Sequence, residues 1–325
     1  MCTAVALVAK NFLFGRTLDN EFSYNGQITV TPKNYPFAFT NGKTINTHYA
    51  ITGMAYVCRN YPLYFDGMNE KGLCMAGLNF VGNAFFGKND ESKQNVAVYE
   101  FIPFILSQCA TVKETCEMID NINLTDTPFS RELPTAQLHW LIADKTQSIT
   151  VECTHDGMHV YNNEAGVLTN NPPFPCQLHN LNNYMHLTAT EPENTFSKTL
   201  ELKNYSKCMG AVGLPGDYSS MSRFVRAAFI KHNSVFTHSD NEDINQFFHI
   251  LGTVSQPKGS CITASGYEHT VYSCCMDSHR GIYCCSVYEN IGICAVDMFS
   301  EDLDGEELIM YNPLKKQNMH FCNRD

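Results

Sequence analysis

The sequence has no excess of positive charge and no long hydrophobic run. Its 325 residues carry a formal net charge of −11 at pH 7, which argues against nucleic acid and against an anionic membrane surface as partners. No apolar run approaches the roughly 18–20 residues that a membrane span needs. The N-terminus also lacks the basic region and the cleavage site of a secretory signal. We therefore expect a cytoplasmic protein that has no membrane partner.

Motifs for common cofactors and metals are missing as well. There is neither a G-x-G-x-x-G nor a P-loop pattern. The fifteen cysteines include no C-x-x-C pair, although zinc sites usually need such clustered spacings. Most of the cysteines sit in apolar, strand-like runs, where a free thiol behaves as a small buried hydrophobe. We expect no cofactor and no metal, and we expect these cysteines to be reduced.

What is present is the composition of a folded domain with a large core. Hydrophobic residues make up 44% of the chain and charged residues 17%, enough for one large domain or two ordinary ones. The predicted elements run in the order strands, helices, strands, two helices, strands. That order favours an α+β fold with two packed antiparallel sheets covered by helices over a doubly wound fold. Residues 175–210 are irregular and polar, which is typical of a functional segment or an assembly arm.

A predicted β-hairpin opens the chain. Two short apolar runs within residues 3–14 flank a polar corner, which is the pattern of two antiparallel strands and a tight turn. Gly15 is expected to break the second run and to present Arg16 and Asp19 just beyond the strand.

Cys2 stands at the start of this hairpin. If Met1 is trimmed, Cys2 carries both a thiol and a free α-amino group that exchanges its proton near neutral pH, so that a nucleophile and its own base share one residue. A cation such as Arg16 favours a thiolate, and a carboxylate such as Asp19 can orient an ammonium. The alternative is that Cys2 is an accident of a cysteine-rich chain.

Two asparagines lie at or near the ends of predicted strands, and one histidine lies within a predicted strand. Asn79 comes near the end of a strand over residues 73–80, where an amide most simply caps the strand. Asn171 is fixed before Pro172, and it is either part of an ordinary turn or an amide donor that polarises a carbonyl. His139 lies inside a predicted strand, which favours a core histidine over a catalytic base.

Arg223 opens a helix predicted over residues 223–231, with Ser222 as its N-cap. The helix dipole disfavours a cation in this first turn by up to roughly 1 kcal/mol. Arg223 is therefore either an ordinary exposed residue or an arginine that is retained to bind an anion.

Several separated motifs, in this order along the chain, resemble those of the choloylglycine hydrolase family, and most closely its bile salt hydrolase branch. The resemblance covers essentially the whole chain and implies a single domain over residues 1–325. The motifs are Met1-Cys2-Thr3-Ala4, Phe14-Gly15-Arg16-Thr17-Leu18-Asp19, Asn69-Glu70-Lys71-Gly72-Leu73 with Gly77-Leu78-Asn79-Phe80, Leu138-His139-Trp140, Leu168-Thr169-Asn170-Asn171-Pro172, Gly213-Leu214-Pro215-Gly216-Asp217 with Ser222-Arg223-Phe224-Val225-Arg226, and Phe247-Phe248-His249-Ile250-Leu251-Gly252.

The resemblance implies an N-terminal nucleophile hydrolase with a four-layer αββα fold, usually assembled as a homotetramer. In that family Cys2 would attack the amide bond that joins a steroid carboxyl group to glycine or taurine, and its own amine would move the proton. Asp19 matches the carboxylate that positions the amine, and Arg16 matches the cation beside the thiol.

The resemblance assigns the remaining site residues as well. Asn79 and Asn171 match the groups that hold and polarise the scissile carbonyl, and Arg223 matches the supporting arginine. Leu18 and Phe65 match pocket-lining positions, although a core role for either is nearly as good an interpretation. A bile salt is the implied substrate.

Three alternatives stay open at this point. Penicillin V acylases share the nucleophile and the fold, but they often carry a tyrosine where this chain has Asn79, which favours the bile salt interpretation. A papain-like Cys/His pair lacks its sequence context here. A non-catalytic, cysteine-rich binding or redox protein on the same fold would not need Cys2 at the mature N-terminus.

Overall fold

The computed structural model describes residues 1–323. Within that range there are five α-helices: α1 Phe101–Leu106, α2 Val112–Ile119, α3 Phe174–Asn180, α4 Ser220–Asn233 and α5 Asp240–Gly252. The strands are β1 Cys2–Val8, β2 Phe12–Asn20, β3 Gln27–Thr31, β4 Phe37–Ala38, β5 Thr44–Ile45, β6 Ile51–Cys58, β7 Tyr61–Asn69, β8 Cys74–Asn79, β9 Gln94–Ala97, β10 Ile122–Thr125, β11 Leu138–Ala143, β12 Ser148–Thr154, β13 Gly157–Asn162, β14 Val167–Leu168, β15 Cys261–Thr263, β16 Gly266–Asp277, β17 Ile282–Val287, β18 Asn290–Asp297 and β19 Ile309–Tyr311.

Two antiparallel sheets form the centre of the fold. The first has the order β14-β1-β2-β16-β17-β18, with β15 paired to β16, and the second has the order β13-β12-β11-β8-β7-β6-β3-β19. In β11, alternate side chains enter different apolar clusters: Leu141 lies in the core between the sheets, and Trp140 lies under the helices. The strands are apolar on both faces because both faces are covered.

The helices form the two outer layers. Helices α4 and α5 pack on the first sheet, against β1 and β16, and α1 packs on the second sheet, against β7 and β8. Residues of α2 belong to the same apolar cluster as α1. The result is the four-layer αββα arrangement that we predicted, and the α+β class is confirmed.

The opening hairpin is confirmed, but the expectation at Gly15 is wrong. Strand β2 continues through Gly15 to Asn20, so Arg16 and Asp19 lie within the strand and not beyond it. A Cβ atom at Gly15 would collide with the backbone carbonyl of Cys274 on β16. The glycine therefore permits the close approach of a neighbouring strand and does not end its own.

Strand β7 begins at Tyr61, directly after a turn made by Arg59 and Asn60, both of which have a positive φ. One other boundary differs from the predictions. Helix α4 begins at Ser220 with Ser219 as its N-cap, about one turn before the predicted start. Arg223 consequently sits one turn into the helix. In the part of the chain described, none of the helices has the length and apolar character required to traverse a bilayer.

Candidate active site

Cys2 is the first residue of β1, an interior strand of the first sheet, and it is 3% exposed. It is paired in register with Leu18 of β2. Met1 is present, so the Cys2 nitrogen is a peptide N–H, which donates to Asn170 Oδ1 at 2.8 Å. Removal of Met1 would turn this nitrogen into an α-amino group at a position where an amide oxygen already accepts from it.

Arg223 reaches the same place from α4. Its Nη1 donates to the Cys2 carbonyl at 2.5 Å, and its Nη2 donates to Asn170 Oδ1 at 2.6 Å. Its Nε donates to the Tyr218 carbonyl at 2.9 Å. Burial lowers the pKa of Arg223, and the nearby Asp19 and Cys2 oppose that shift. A fully buried guanidinium thus links the backbone of Cys2 to the amide of Asn170.

Arg16 places a second buried cation near Cys2. Its Nη1 donates to the carbonyls of Gly77 at 2.5 Å and Phe65 at 3.2 Å, both on the opposing sheet. Burial by itself lowers the pKa of Arg16, but the acidic groups around it, Cys2 first among them, raise it on balance above its usual value. Positive charge held in a dry site stabilises negative charge that develops on a reacting atom.

Asp19 lies on β2 with its carboxylate buried. Thr270 Oγ1 donates to Asp19 Oδ1 at 2.6 Å, and Gln256 Nε2 donates to Asp19 Oδ2 at 3.2 Å. Burial raises the pKa of Asp19, while Arg223 and the N-terminal ammonium act in the opposite direction. The carboxylate is therefore fixed in place by side chains that come from much later in the chain.

The backbone of Asp19 and the side chain of Glu268 hold the N-terminus itself. The Met1 ammonium donates to the Asp19 carbonyl at 2.8 Å and forms an ion pair with Glu268, which is buried. The Asp19 N–H donates back to the Met1 carbonyl at 2.9 Å. Met1 is thus anchored at both ends of its backbone.

The two asparagines singled out in the sequence occupy different positions. Asn171 is exposed, and its Nδ2 donates to the Val81 carbonyl at 2.7 Å. Its neighbour Asn170 is the asparagine that contacts Cys2 and Arg223, and Asn170 Nδ2 donates to the Asn79 carbonyl at 2.8 Å. Among residues 1–323, the exposed side-chain amide of Asn79 has no hydrogen-bond partner.

The sequence analysis missed Asn170, Gln256, Thr270 and Glu268. The Asn-Asn-Pro-Pro motif could have pointed to Asn170, because either of its two asparagines could serve as the amide of the site. The other three carry no local signal, because their place in the site depends on how β16 and the segment before it pack beside β2. His139, by contrast, lies in the core as expected and shares a hydrogen bond with buried Glu152 at 2.9 Å.

Leu18 and Phe65 line one small cavity of about 30 Å³. Tyr24 and Met54 contribute to the same wall, and the rings of Tyr24 and Phe65 lie 5.5 Å apart. The structure thus brings the two predicted pocket residues together on an apolar surface beside the strand that pairs with Cys2.

A much larger cavity, of about 750 Å³, lies at the other end of β1. It is lined in part by Val8, Lys10 and Phe12 and contains none of the predicted site residues. Across residues 1–323 no group of three or more His, Cys, Asp and Glu side chains is placed to hold a metal ion.

Comparisons with known proteins agree with this geometry. The chain is 48% identical over 323 residues to a bile salt hydrolase/transferase of Lactiplantibacillus plantarum, covering 99% of each protein. It is 39% identical to a bile salt hydrolase/transferase of Clostridium perfringens, covering 99% of this chain and all of that protein.

Solved structures show the same fold. The crystal structure of a mutant conjugated bile acid hydrolase from Clostridium perfringens superposes with a TM-score of 0.91 at 38% identity, covering 99% of this chain and 100% of that one. A penicillin V acylase from Agrobacterium tumefaciens superposes with a TM-score of 0.76 at 21% identity, covering 96% of this chain and 91% of that one. The second likeness shows the fold alone.

The family model of linear amide C–N hydrolases of the choloylglycine hydrolase type matches residues 2–311. This match begins at Cys2 and includes every predicted site residue. The chain therefore belongs to the choloylglycine hydrolase family of linear amide C–N hydrolases.

Proposed function

We propose that this protein hydrolyses the amide bond of glycine- or taurine-conjugated bile salts, with Cys2 as the nucleophile once Met1 has been removed. The observation that carries the proposal is the convergence of Asn170 and Arg223 on the backbone of Cys2, with Arg16 beside it. The family catalyses C–N bond hydrolysis, and two relatives that match almost the full length are named bile salt hydrolase/transferase.

The first half of the reaction forms a thioester. The neutral Cys2 amine takes the proton of the Cys2 thiol, and the sulfur attacks the amide carbonyl carbon. An S–C bond forms, and negative charge moves to the carbonyl oxygen. The free amide of Asn79 can donate to that oxygen, and the positive charges of Arg16 and Arg223 stabilise it. The Cys2 ammonium, held by Asn170 Oδ1, then gives its proton to the leaving nitrogen. The C–N bond breaks, and glycine or taurine departs as the free amine.

The second half releases the bile acid. Water attacks the thioester carbonyl while the Cys2 amine, now neutral, takes one of its protons. The S–C bond breaks, and the Cys2 sulfur takes back the proton that the Cys2 ammonium holds. The bile acid leaves as a carboxylate, with its remaining proton passing to the released amine. In this proposal Asp19 keeps the N-terminal region in place, because Thr270 and Gln256 fix its carboxylate.

The apolar wall formed by Leu18, Phe65 and Met54 is proposed to receive the steroid. Burial of apolar surface contributes about 25 cal/mol per Å², so the ring system would supply most of the binding energy. Pockets for ligands of this size hold roughly 300–1,000 Å³, far more than the cavity of about 30 Å³. We propose that residues 21–26, which line one side and are largely exposed, move outward when substrate enters.

The test is release of glycine or taurine from conjugated bile salts under reducing conditions, with Cys2→Ser and Cys322→Ser measured beside the parent protein. Cys322 is exposed, so its replacement controls for the loss of a thiol elsewhere. We expect release by the parent and by Cys322→Ser, and none by Cys2→Ser. Folded protein that lacks Met1 by intact mass but releases neither amino acid would refute the bile salt assignment. Hydrolysis of penicillin V by that protein would favour an acylase.

Assembly and location stay predictions. Residues 175–210 carry large apolar side chains that are strongly exposed, including Met185, Phe196 and Tyr205. Contiguous exposed apolar area marks interaction surfaces, and these side chains could supply such area, which supports the proposal that this arm helps to form a homotetramer. Light scattering on the parent and on Phe196→Glu tests it, because a variant with unchanged mass would contradict a role for the arm. The cytoplasmic location is tested by cell fractionation.

A further inference from the structure

The proposed reaction uses only one of the fifteen cysteines, yet three others stand in a row across the first sheet. Cys274 on β16 pairs in register with Cys285 on β17, and Cys285 pairs with Cys294 on β18. Residues paired in register on neighbouring strands point to the same face of a sheet. The row begins next to Arg16, which pairs with Cys274, and it ends at the edge strand β18.

The outer two thiols of the row are in contact. The Sγ atoms of Cys285 and Cys294 lie 3.3 Å apart, and a disulfide bond measures about 2.05 Å. The two sulfurs need to approach by only about 1.3 Å. Directly opposed residues of an antiparallel pair have Cα atoms about 4.5–5.5 Å apart, which lies within the range of about 4.4–6.8 Å that a disulfide accepts. The strand pairing is therefore compatible with bond formation.

The two thiols differ in their chemistry. Cys285 is completely buried, whereas Cys294 is partly exposed on the edge strand. The hydrogen bond between the two sulfurs, in which either can be the donor, lowers the pKa of Cys294 to about 6, assisted by backbone hydrogen bonds and opposed by burial. The same contact, together with burial, raises the pKa of Cys285. The arrangement is that of a partly exposed thiol with a lowered pKa, whose sulfur also donates to the Cys285 carbonyl at 3.4 Å, next to a buried thiol that can resolve its oxidised form.

We propose that Cys285 and Cys294 form a redox-sensitive pair that closes to a reversible disulfide when the protein meets a peroxide. The Cys294 thiolate attacks one peroxide oxygen, so that an S–O bond forms, the O–O bond breaks and the departing oxygen leaves as water or an alcohol after protonation. Cys285 then attacks the Cys294 sulfur, so that the S–S bond forms, the S–O bond breaks and water leaves with the Cys285 proton. The two sulfurs together lose two electrons, and the peroxide gains them.

A second cross-strand pair provides an internal control. Cys275 and Cys284 are also paired in register on β16 and β17. Both are buried, and burial raises the pKa of both thiols, that of Cys284 to about 12. In the described chain no hydrogen bond joins their sulfur atoms. This pair lacks an accessible thiolate, so it should stay reduced under conditions that oxidise Cys285 and Cys294.

The experiment exposes the fully reduced protein to hydrogen peroxide at about one equivalent, blocks the remaining thiols, and maps linked peptides without reduction. Cleavage after Tyr288 separates Cys285 from Cys294, so the disulfide joins two peptides and lowers their summed mass by two hydrogens. We expect this link to form at least about tenfold faster than any link between Cys275 and Cys284. A reducing agent should reverse it.

Two variants keep the test decisive. Cys285→Ser should leave a sulfenic acid on Cys294 that a 1,3-diketone reagent traps, whereas Cys284→Ser should form the same disulfide as the parent protein. The proposal is overturned if both thiols stay free while exposed Cys176 or Cys322 is oxidised. It is also overturned if the control pair closes as fast, or if Cys284→Ser abolishes the link. The masses are read without substrate, so the result is independent of the proposed hydrolase activity.

Discussion

Replacing Asn170 by alanine should impair the site far more than the same change at its neighbour Asn171. Asn170 Oδ1 accepts hydrogen bonds from the Cys2 nitrogen at 2.8 Å and from Arg223 Nη2 at 2.6 Å, and its Nδ2 donates to the Asn79 carbonyl at 2.8 Å. Asn171 is exposed and makes one hydrogen bond to a backbone carbonyl. The two adjacent residues thus form a matched pair, with identical chemistry in different surroundings.

The magnitude follows from what alanine leaves behind. Without Asn170, one N–H of the buried Arg223 guanidinium loses its acceptor, and a hydrogen bond to a charged group is worth about 1.5–3 kcal/mol. The Cys2 nitrogen loses its acceptor too, so the amine that moves the proton is no longer fixed. At about 1.4 kcal/mol for each factor of ten, kcat/KM should fall roughly 10- to 100-fold. For Asn171→Ala we expect a stability change within about 0.5 kcal/mol and less than about a threefold loss of activity.

The assay is amino acid release from a glycine-conjugated bile salt over a range of substrate concentrations, with urea unfolding of each variant measured in parallel. The folded fraction taken from each urea curve corrects for misfolded protein. Equal losses in the two variants, or a larger loss in Asn171→Ala, would refute the reasoning and return Asn171 to the role that the sequence motif predicted for it.

Three further predictions test separate parts of the structure. Arg16→Lys should lower kcat/KM by at least about tenfold, because one ammonium cannot reproduce a planar guanidinium whose Nε and Nη1 bond backbone carbonyls of both sheets. Unchanged kinetics would contradict this. In folded protein that retains Met1, the ion pair with Glu268 shields the Met1 ammonium. Glu268→Gln should therefore let added methionine aminopeptidase remove Met1 faster, as followed by intact mass. Equal rates of removal in parent and variant would show that the ion pair does not protect Met1. Burial lowers the pKa of Lys231 to about 8 from an ordinary 10.5, so between these pH values the unfolded chain binds more protons and the free energy of unfolding rises with pH. Lys231→Met should lose that contribution in urea unfolding at pH 8 and pH 10, and parallel pH profiles would contradict it.

Local patterns were enough to predict many of the elements. The capping pattern at Thr111 and Glu114 predicts the start of α2, and Thr111 Oγ1 does accept from the Glu114 N–H at 3.2 Å. The apolar spacing of Ile244, Phe247, Phe248 and Leu251 predicts α5. Three of these side chains are buried, and Phe248 is partly buried against the same core. These predictions hold because capping and helical periodicity depend on residues a few positions apart.

The resemblance of ordered motifs predicted the family and the layered fold. It depends on residue identities along the whole chain, so it does not require knowledge of any contact. It also predicted that Cys2, Arg16 and Arg223 belong to one site, and the structure brings these three residues together.

Only the tertiary structure decided which side chains meet around Cys2. Gly15 has the local pattern of a strand breaker, yet β2 passes through it because the backbone of Cys274 packs where a side chain would otherwise lie. Asn170 and Asn171 are chemically identical in the sequence, and the packing of α4 against β14 and β1 determines which amide meets Arg223. Such choices depend on contacts between residues far apart in the chain, and short-range spacing and capping carry no information about them.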